Sequence, residues 1–453
     1  MEKPKNSNYA ATIVEIKNVV ELDNCDNVQH AIIMGNSVIV SKDVKPGDVG
    51  AYFPVETQLS KEFLSTNNLY RKSQMNADPD KTGYFDENGR VRCVKFRGNK
   101  SEGFFIKLEA FDPFLEYSAK EELSIGCEFD MLGDVEICRK YIPKNTRTPG
   151  APGSRNQGKK RNPADLFVDN QFRFHQDTAM LYKNLHRIKP DSLISITYKL
   201  HGTSGISAKI LHKRELNVIQ KIAKFFGIPV VEEVYKDVCS SRKVIKTVEV
   251  NPRAQSFYSF DIWNFAHDFL KEFLHNGMTI YYEVVGYLPS GAMIQKNYDY
   301  GYSVPKVDWS QPNEETISGL INYKIGENVG IYIYRITQTS TDGRVVEYSA
   351  HQVQQWCKLY GLNAVPQLFY GFAAGLSDER MTEENWQNKF LDNVKGLYNE
   401  KDCYMCIHKV PEEGCVIRIE GLDFEAYKQK SNAFYELETK LLDKGESNIE
   451  DEN

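Results

Sequence analysis

Hydrophobic and polar positions alternate with a period of two over several short stretches of this chain. Between residues 8 and 135 such runs cover Ala11 to Ile16, Ala31 to Val40, Val49 to Pro54, Val91 to Arg97 and Gly103 to Leu108. Turn-forming clusters separate them, among them Lys45-Pro46-Gly47-Asp48 and Gly98-Asn99-Lys100. Side chains two apart on a strand share a face, so these runs predict many short strands and a small β-barrel or sandwich. Residues 144–163 break the pattern. There Pro149, Pro152 and Pro163 mix with Gly150, Gly153, Gly158 and the basic cluster Lys159-Lys160-Arg161. Such a composition builds no core and predicts a linker or flexible loop. From Asp165 the pattern becomes mixed. Leu181 and Leu185 predict a helix over 177–186, with Asp177 or Thr178 as its cap, and a second helix runs from Leu216 to Phe226, ended by Gly227 and Pro229.

The stretch that organises the chain is 193–205, Leu-Ile-Ser-Ile-Thr-Tyr-Lys-Leu-His-Gly-Thr-Ser-Gly. Ile194, Ile196 and Tyr198 alternate with Ser195, Thr197 and Lys199, which predicts a strand with one apolar and one polar face. Lys199 ends the polar face. Gly202 then allows a sharp turn, and Thr203, Ser204 and Gly205 add small groups to it. A lysine held beside exposed backbone amides suits attack on a phosphate. A surface lysine before an ordinary turn has the same local pattern, so the rest of the chain must supply its partners.

Composition narrows the choice. A length of 453 residues suggests two or three domains, and 41% hydrophobic residues can bury a sizeable core. No apolar run approaches the ~20 residues needed to cross a bilayer. The opening Met1-Glu2-Lys3-Pro4-Lys5 lacks the apolar segment of a signal peptide. The expectation is a cytoplasmic or nuclear protein with no membrane partner. Nine cysteines, an odd number spread over a long chain, argue against a disulfide framework. Cys403 and Cys406 form a Cys-x-x-Cys pair with no second pair at zinc spacing, so free thiols are expected there. The formal net charge of -6 does not mark a nucleic-acid binder. The tail from Lys440, with Asp443, Glu446, Glu450, Asp451 and Glu452, reads as a solvated acidic end, and the remainder is closer to neutral. Locally, Lys95, Arg97, Lys100 and Lys107 interleave with Phe96, Phe104 and Phe105. That is either a strand-binding surface or a set of core aromatics flanked by solvated cations. No phosphate-binding Walker loop, dinucleotide fingerprint or zinc-protease motif is present.

Lys199-Leu200-His201-Gly202 resembles the lysine motif of the covalent nucleotidyltransferases, which include DNA ligases, RNA ligases and mRNA capping enzymes. Histidine stands where the wider superfamily has aspartate, a form similar to certain RNA ligases. Five further segments follow in the order the resemblance requires. Ser240-Ser241-Arg242-Lys243 resembles the Ser-Arg element, whose arginine approaches phosphates as a planar fork. In Thr279 to Gly286, alternation sets Glu283 opposite Ile280, Tyr282 and Val284, and a carboxylate on such a strand needs a partner. The resemblance gives Glu283 a contact to the ribose or to a metal-bound water. In Gly330 to Ile336, Tyr334 takes the place of the aromatic stacked on adenine, and Arg335 replaces aspartate. Ser259-Phe260-Asp261-Ile262 matches the residue types better but precedes Glu283, so Phe260 and Asp261 are expected in the core. Glu412-Glu413-Gly414-Cys415-Val416 resembles the Glu-Gly-x-Val strand, with Glu413 holding a metal through water. Tyr427-Lys428-Gln429-Lys430 closes the set, with Lys428 and Lys430 on one face aimed at the α-phosphate.

The resemblance covers roughly 165 to 435 and is nearest to ATP-dependent RNA ligases with an OB module in front. It implies an α+β fold: an N-terminal OB-like β-barrel over 1–143, a linker at 144–164, and a mixed nucleotidyltransferase domain with antiparallel sheets over 165–453. It further implies ATP with Mg²⁺ or Mn²⁺, the metal held through water by Glu283 and Glu413. Lys199, Glu283, Glu413, Lys428 and Lys430 would be catalytic. His201, Gly202, Arg242 and Tyr334 would join them in binding the nucleotide. Lys199 would become lysyl-AMP, AMP would pass to an RNA 5′-phosphate, and a 3′-hydroxyl would seal the bond, in nicked duplex or paired RNA, by a monomer. Two other readings remain at this point: a GTP-dependent capping-type guanylyltransferase, and a nucleic-acid-binding protein with an inactive transferase site, the latter favoured by His201 and Arg335.

Overall fold

A computed structural model describes residues 3–23, 25–115, 123–143, 166–247, 260–305, 323–376 and 385–444. The predicted linker at 144–164, Ser259, and the tail beyond residue 444 lie outside the described residues. The fold is α+β, and its sheets are mostly antiparallel. No described helix is long and apolar enough to cross a membrane.

The alternating runs of the first third become strands. Ala11–Glu15 and Val49–Phe53 pair antiparallel at the centre of a four-stranded sheet, flanked by Glu128–Phe129 and Phe104–Lys107. The run predicted over 31–40 is two strands, Val28–Ile33 and Asn36–Ser41. They turn at Met34 and Gly35, both with positive φ (51° and 74°), which matches the twist of a tight hairpin. With Val19–Glu21 they form a separate three-stranded sheet. Among the described residues these strands close no barrel.

The interleaved aromatics and cations divide between the two readings offered for them. Phe105 is buried, and Phe104 stacks on Phe53 at 6.1 Å, so both serve the core. Lys100 is spent on Glu400 and Glu436, and Lys107 on Asp43 and Asp48. Lys95, Phe96 and Arg97 remain exposed near the tip of the hairpin Cys93–Phe96 and Asn99–Glu102.

Beyond residue 166 two larger sheets form. The first has the order Ala179–Met180, Glu425–Lys430, Gly414–Ile419, Leu193–Tyr198, Gln367–Phe372. The second has the order Glu233–Ser241, Thr203–Lys213, Met278–Gly286, Val329–Thr339, Val345–Glu347, with Asn363–Ala364 beside Val329–Thr339. Helices Ile262–Leu270 and Ala350–Tyr360 bury Trp263, Leu270, Val353 and Trp356 against the second sheet. Phe260 joins this core as predicted, and Asp261 caps the first of these helices by accepting from the Asn264 amide at 3.1 Å.

The helix predicted over 177–186 does not form. Ala179–Met180 is extended and pairs parallel with Tyr427 and Lys428, which leaves only two 3-10 turns, Leu181–Lys183 and Leu185–Arg187. Sheet pairing outweighs the weak local helical signal, and Asp177 turns to Arg242 instead of capping. The other predicted helix exists as Val218–Phe225, with a reciprocal Asn217–Gln220 capping box and Gly227 at φ 75° beyond its end.

The first and last parts of the chain share one apolar cluster. Ile33, Val38 and Tyr52 meet Ile194, Ile196 and Ile417, together with Trp386, Phe390 and Val394 of the helix Trp386–Tyr398. We expect Phe390→Ala to cost about 3–5 kcal/mol of stability. A urea unfolding curve that shifted by under about 1 kcal/mol would show that Phe390 does not join these elements.

Candidate active site

The two larger sheets are consecutive at one point. Leu193–Tyr198 belongs to the first and Thr203–Lys213 to the second, so the chain crosses between them on Lys199-Leu200-His201-Gly202. The lysine motif is thus a link, and its geometry is set by both sheets. The Lys199 amide donates to the Gly414 carbonyl at 2.9 Å, which ties the link to the Glu-Gly-x-Val strand. At Gly202 a Cβ would stand 2.4 Å from the Val284 carbonyl oxygen and 2.8 Å from Glu283 Cγ. Glycine there lets the link lie against the Glu283 strand.

Lys199 Nζ lies 2.6 Å from Glu413 Oε1, with the lysine side chain 18% exposed and the carboxylate 1% exposed. The other Glu413 oxygen meets His201 Nδ1 at 3.2 Å. His201 is buried, its ring edge-on to Tyr298 and Phe434 and its backbone bonded on both sides to the Tyr300 hydroxyl. His201 and Gly202 therefore stand behind the lysine rather than among the residues that line the cavity. His201 orients Glu413, and Gly202 sets the path of the link.

That cavity, of about 240 Å³, is lined by Lys199, Glu283, Arg242, Tyr334, Lys428 and Lys430 among others. Five separate segments supply them, and the fold brings them to one place. Glu283 faces away from Ile280, Tyr282 and Val284, which lie in the core, and accepts from the Ser204 hydroxyl at 2.8 Å. Lys428 and Lys430 lie two apart on Glu425–Lys430 and share the cavity face. Lys430 also meets both oxygens of Glu438, at 3.2 and 3.3 Å. Arg242 pairs with Asp177. Burial pushes the Asp177 carboxyl up, but Arg242 and then Lys428 outweigh it and hold the group below the ordinary carboxylate range.

Tyr334 reaches the cavity through a β-bulge. Tyr281 pairs with Arg335 and Tyr282 with Ile333, so Tyr334 is the extra residue of its strand. A bulge re-aims a side chain, and here it turns the ring inward to meet His175 Nδ1 at 3.1 Å. Burial, then the charge of Glu283, pushes its phenol well up, so it stays neutral. Arg335 goes the other way. It forms a bidentate pair with buried Glu347 and lies over the rings of Tyr281 and Phe424. The arginine in the place of aspartate is a structural residue outside the cavity lining.

Sequence reading missed Arg418. It lines the cavity on Gly414–Ile419, on the same face as Val416 and opposite Ser195. It is 6% exposed, and its three guanidinium nitrogens find no hydrogen bond among the described residues, with Glu420 at 3.8 Å. Burial pulls its pKa below the ordinary arginine value. A cation in such a place leaves donors for a ligand acceptor. The available signal was a charged residue between Ile417 and Ile419, two residues past Val416. His175, Asp177 and Ser204, and Asn8, Tyr9 and Lys140 from the first part of the chain, also line the cavity and carried no motif.

No family model and no curated protein matches this sequence. Solved structures do. Naegleria gruberi RNA ligase with PPi aligns at TM-score 0.54 and 14% identity, over 95% of this chain and 98% of that one. A lysine-to-methionine variant of the same ligase, with AMP and Mn, aligns at 0.51 and 14%, over 94% and 98%. A glutamate-to-alanine variant with ATP and Mn aligns at 0.52 and 15%, over 94% and 98%.

We expect Gly202→Ala to cost about 1–3 kcal/mol of stability, because its Cβ must displace the Glu283 strand backbone. An unchanged urea unfolding midpoint for Gly202→Ala would show that the link tolerates that displacement. Over 94–95% of its length, and at low sequence identity, this chain has the fold of the Naegleria gruberi RNA ligase structures.

Proposed function

We propose that this chain is an ATP-dependent RNA ligase that joins a 3′-hydroxyl to a 5′-phosphate through lysyl-AMP and RNA-adenylate. The observation that carries the reading is Lys199 Nζ, 2.6 Å from buried Glu413, in a cavity shared with Lys428, Lys430, Arg242, Glu283 and Tyr334. A lone lysine has a pKa near ~10.4 and is a poor nucleophile at neutral pH. Glu413 by itself favours the ammonium form. The cations Lys428, Lys430 and Arg242 act the other way and hold the triphosphate charge.

In the first step the Lys199 nitrogen forms a bond to the α-phosphorus of ATP, the α–β phosphoanhydride bond breaks, pyrophosphate leaves, and the ammonium proton is lost to Glu413 or water. In the second, a 5′-phosphate oxygen takes the adenylate and Lys199 is released. In the third, a 3′-hydroxyl attacks and AMP leaves. Tyr334 offers a ring face to the base, worth ~1–3 kcal/mol where bases stack on aromatics. Arg418 offers its guanidinium donors to an acceptor at the base end.

Among the described residues no group of three or more His, Cys, Asp or Glu could cage a metal. Glu283 and Glu413 are instead hard oxygen donors beside phosphate-binding cations, which fits a hydrated Mg²⁺ or Mn²⁺ held through water. Glu283 and Glu413 would hold such an ion's waters, and when bound it would supply positive charge to the phosphates. The first part of the chain, which we read as an OB-like module over 1–143 joined by a linker at 144–164 to a transferase domain over 165–453, adds Asn8, Tyr9 and Lys140 to the cavity wall. RNA with nicked or paired ends is the substrate class we assign.

Incubation with α-labelled ATP and Mn²⁺ is expected to give a labelled protein band that Lys199→Ala abolishes, with little label from GTP. A band that persists in Lys199→Ala would overturn the lysine assignment, and preferential labelling by GTP would favour a capping-type enzyme. Arg418→Met is expected to raise the KM for ATP at least tenfold and leave the fold intact. An unchanged KM would remove Arg418 from the nucleotide site.

A further inference from the structure

Two thiols stand behind the lysine site and take no part in the reaction described above. Cys403 and Cys406 bracket a turn closed by the Cys406 amide on the Cys403 carbonyl at 3.3 Å. The Cys403 amide donates to the Val410 carbonyl at 2.8 Å, so the loop folds back on itself just before Glu412. Cys403 is buried and Cys406 is half-exposed. The neighbouring Cys406 holds the Cys403 thiol below the ordinary range, and Cys403 in turn holds the Cys406 thiol above it.

The loop touches the lysine site at two points. The Tyr404 ring lies 4.7 Å from that of Tyr198, the residue before Lys199. Glu412, at the end of the loop, donates its amide to the Lys401 carbonyl at 2.9 Å and accepts the Glu413 amide on its Oε1 at 3.2 Å. The loop thus leads from Cys403, tied by its amide to Val410, into Glu412 and the backbone of Glu413, whose carboxylate holds Lys199.

We propose that Cys403 and Cys406 are a site of reversible disulfide modification, formed by exchange with a small-molecule disulfide, and that the bond slows adenylylation of Lys199. The half-exposed Cys406 passes its proton to Cys403, attacks one sulfur of the small disulfide and expels one thiolate, which takes up a proton. Cys403 then loses its proton and attacks the Cys406 sulfur, and the second small thiol leaves. Two protein thiols and one disulfide become one protein disulfide and two small thiols. The small disulfide is the oxidant, and the protein pair is oxidised by two electrons. The bond draws the Cys403–Cys406 turn together and so displaces the Tyr404 ring on Tyr198 and the Glu412 carboxyl on the Glu413 amide. Glu412 and the cysteines are positioning groups and touch no reacting atom.

The test uses the full chain and oxidised glutathione. After alkylation and peptide mapping we expect a Cys403–Cys406 crosslink, with both thiols protected from alkylation. Labelling of Lys199 by ATP is expected to slow about tenfold, as when a partner behind a site ligand is lost, and to recover with dithiothreitol. Cys406→Ser should label as fast as the native chain and lose the sensitivity to oxidant. Full alkylation of both thiols, or a lone glutathione adduct without crosslink, overturns the site. A complete crosslink with unchanged labelling overturns the coupling. The mapping needs no nucleotide, so its failure is distinct from failure of the ligase reading, on which the rate measurement rests.

Discussion

The contact between Lys199 and Glu413 depends on the way two sheets are joined. Lys199 follows directly on the strand Leu193–Tyr198 of the first sheet, and the second sheet begins four residues later. Glu413 arrives at the start of the neighbouring strand, Gly414–Ile419, whose Gly414 carbonyl receives the Lys199 amide. Register therefore sets the ion pair. A one-residue slip between these strands would send Lys199 to the other face and break the contact, along with those of Ser195 and Thr197. The Gly202 close approach does the same work on the other side, by pressing the link against the strand that carries Glu283.

Charge is concentrated and balanced around this point. Lys199, Arg242, Lys428, Lys430 and Arg418 surround the cavity, and Glu283, Asp177 and Glu438 share its lining. Most of these groups are at least partly buried, where an unpaired charge is costly, and Lys199 meets Glu413, Arg242 meets Asp177 and Lys430 meets Glu438. Arg418 is the least satisfied, with Glu420 beyond hydrogen-bond distance. Arg335, on the second sheet, shows the contrasting solution: a bidentate pair with Glu347 and two aromatic rings. The same residue type thus has two roles, decided by whether a carboxylate is close enough to complete it.

Likeness to known ligases resides in arrangement more than in letters. Identity to Naegleria gruberi RNA ligase is 14% at TM-score 0.54, yet 98% of that chain is covered. At this distance the overall backbone path is shared, while most residues differ. The histidine in the lysine motif illustrates what such change allows. His201 keeps a polar contact to Glu413 from a buried position, so a departure from the common pattern still serves the neighbouring acid.

The sequence by itself determined the short strands of the first part, the strand that ends in Lys199, the face on which Glu283 stands and the shared face of Lys428 and Lys430. Each of these rests on period-two alternation, a local property of the backbone. Tertiary structure decided the rest. It turned Tyr334 inward through a bulge and sent Arg335 to Glu347. It replaced the helix expected at 177–186 with a strand pair to Tyr427 and Lys428. It also brought Arg418 and Asn8, Tyr9 and Lys140 to the cavity, residues that no motif marks. Bulges, strand partners and inter-segment contacts depend on residues far apart in the chain, and local periodicity carries no information about them.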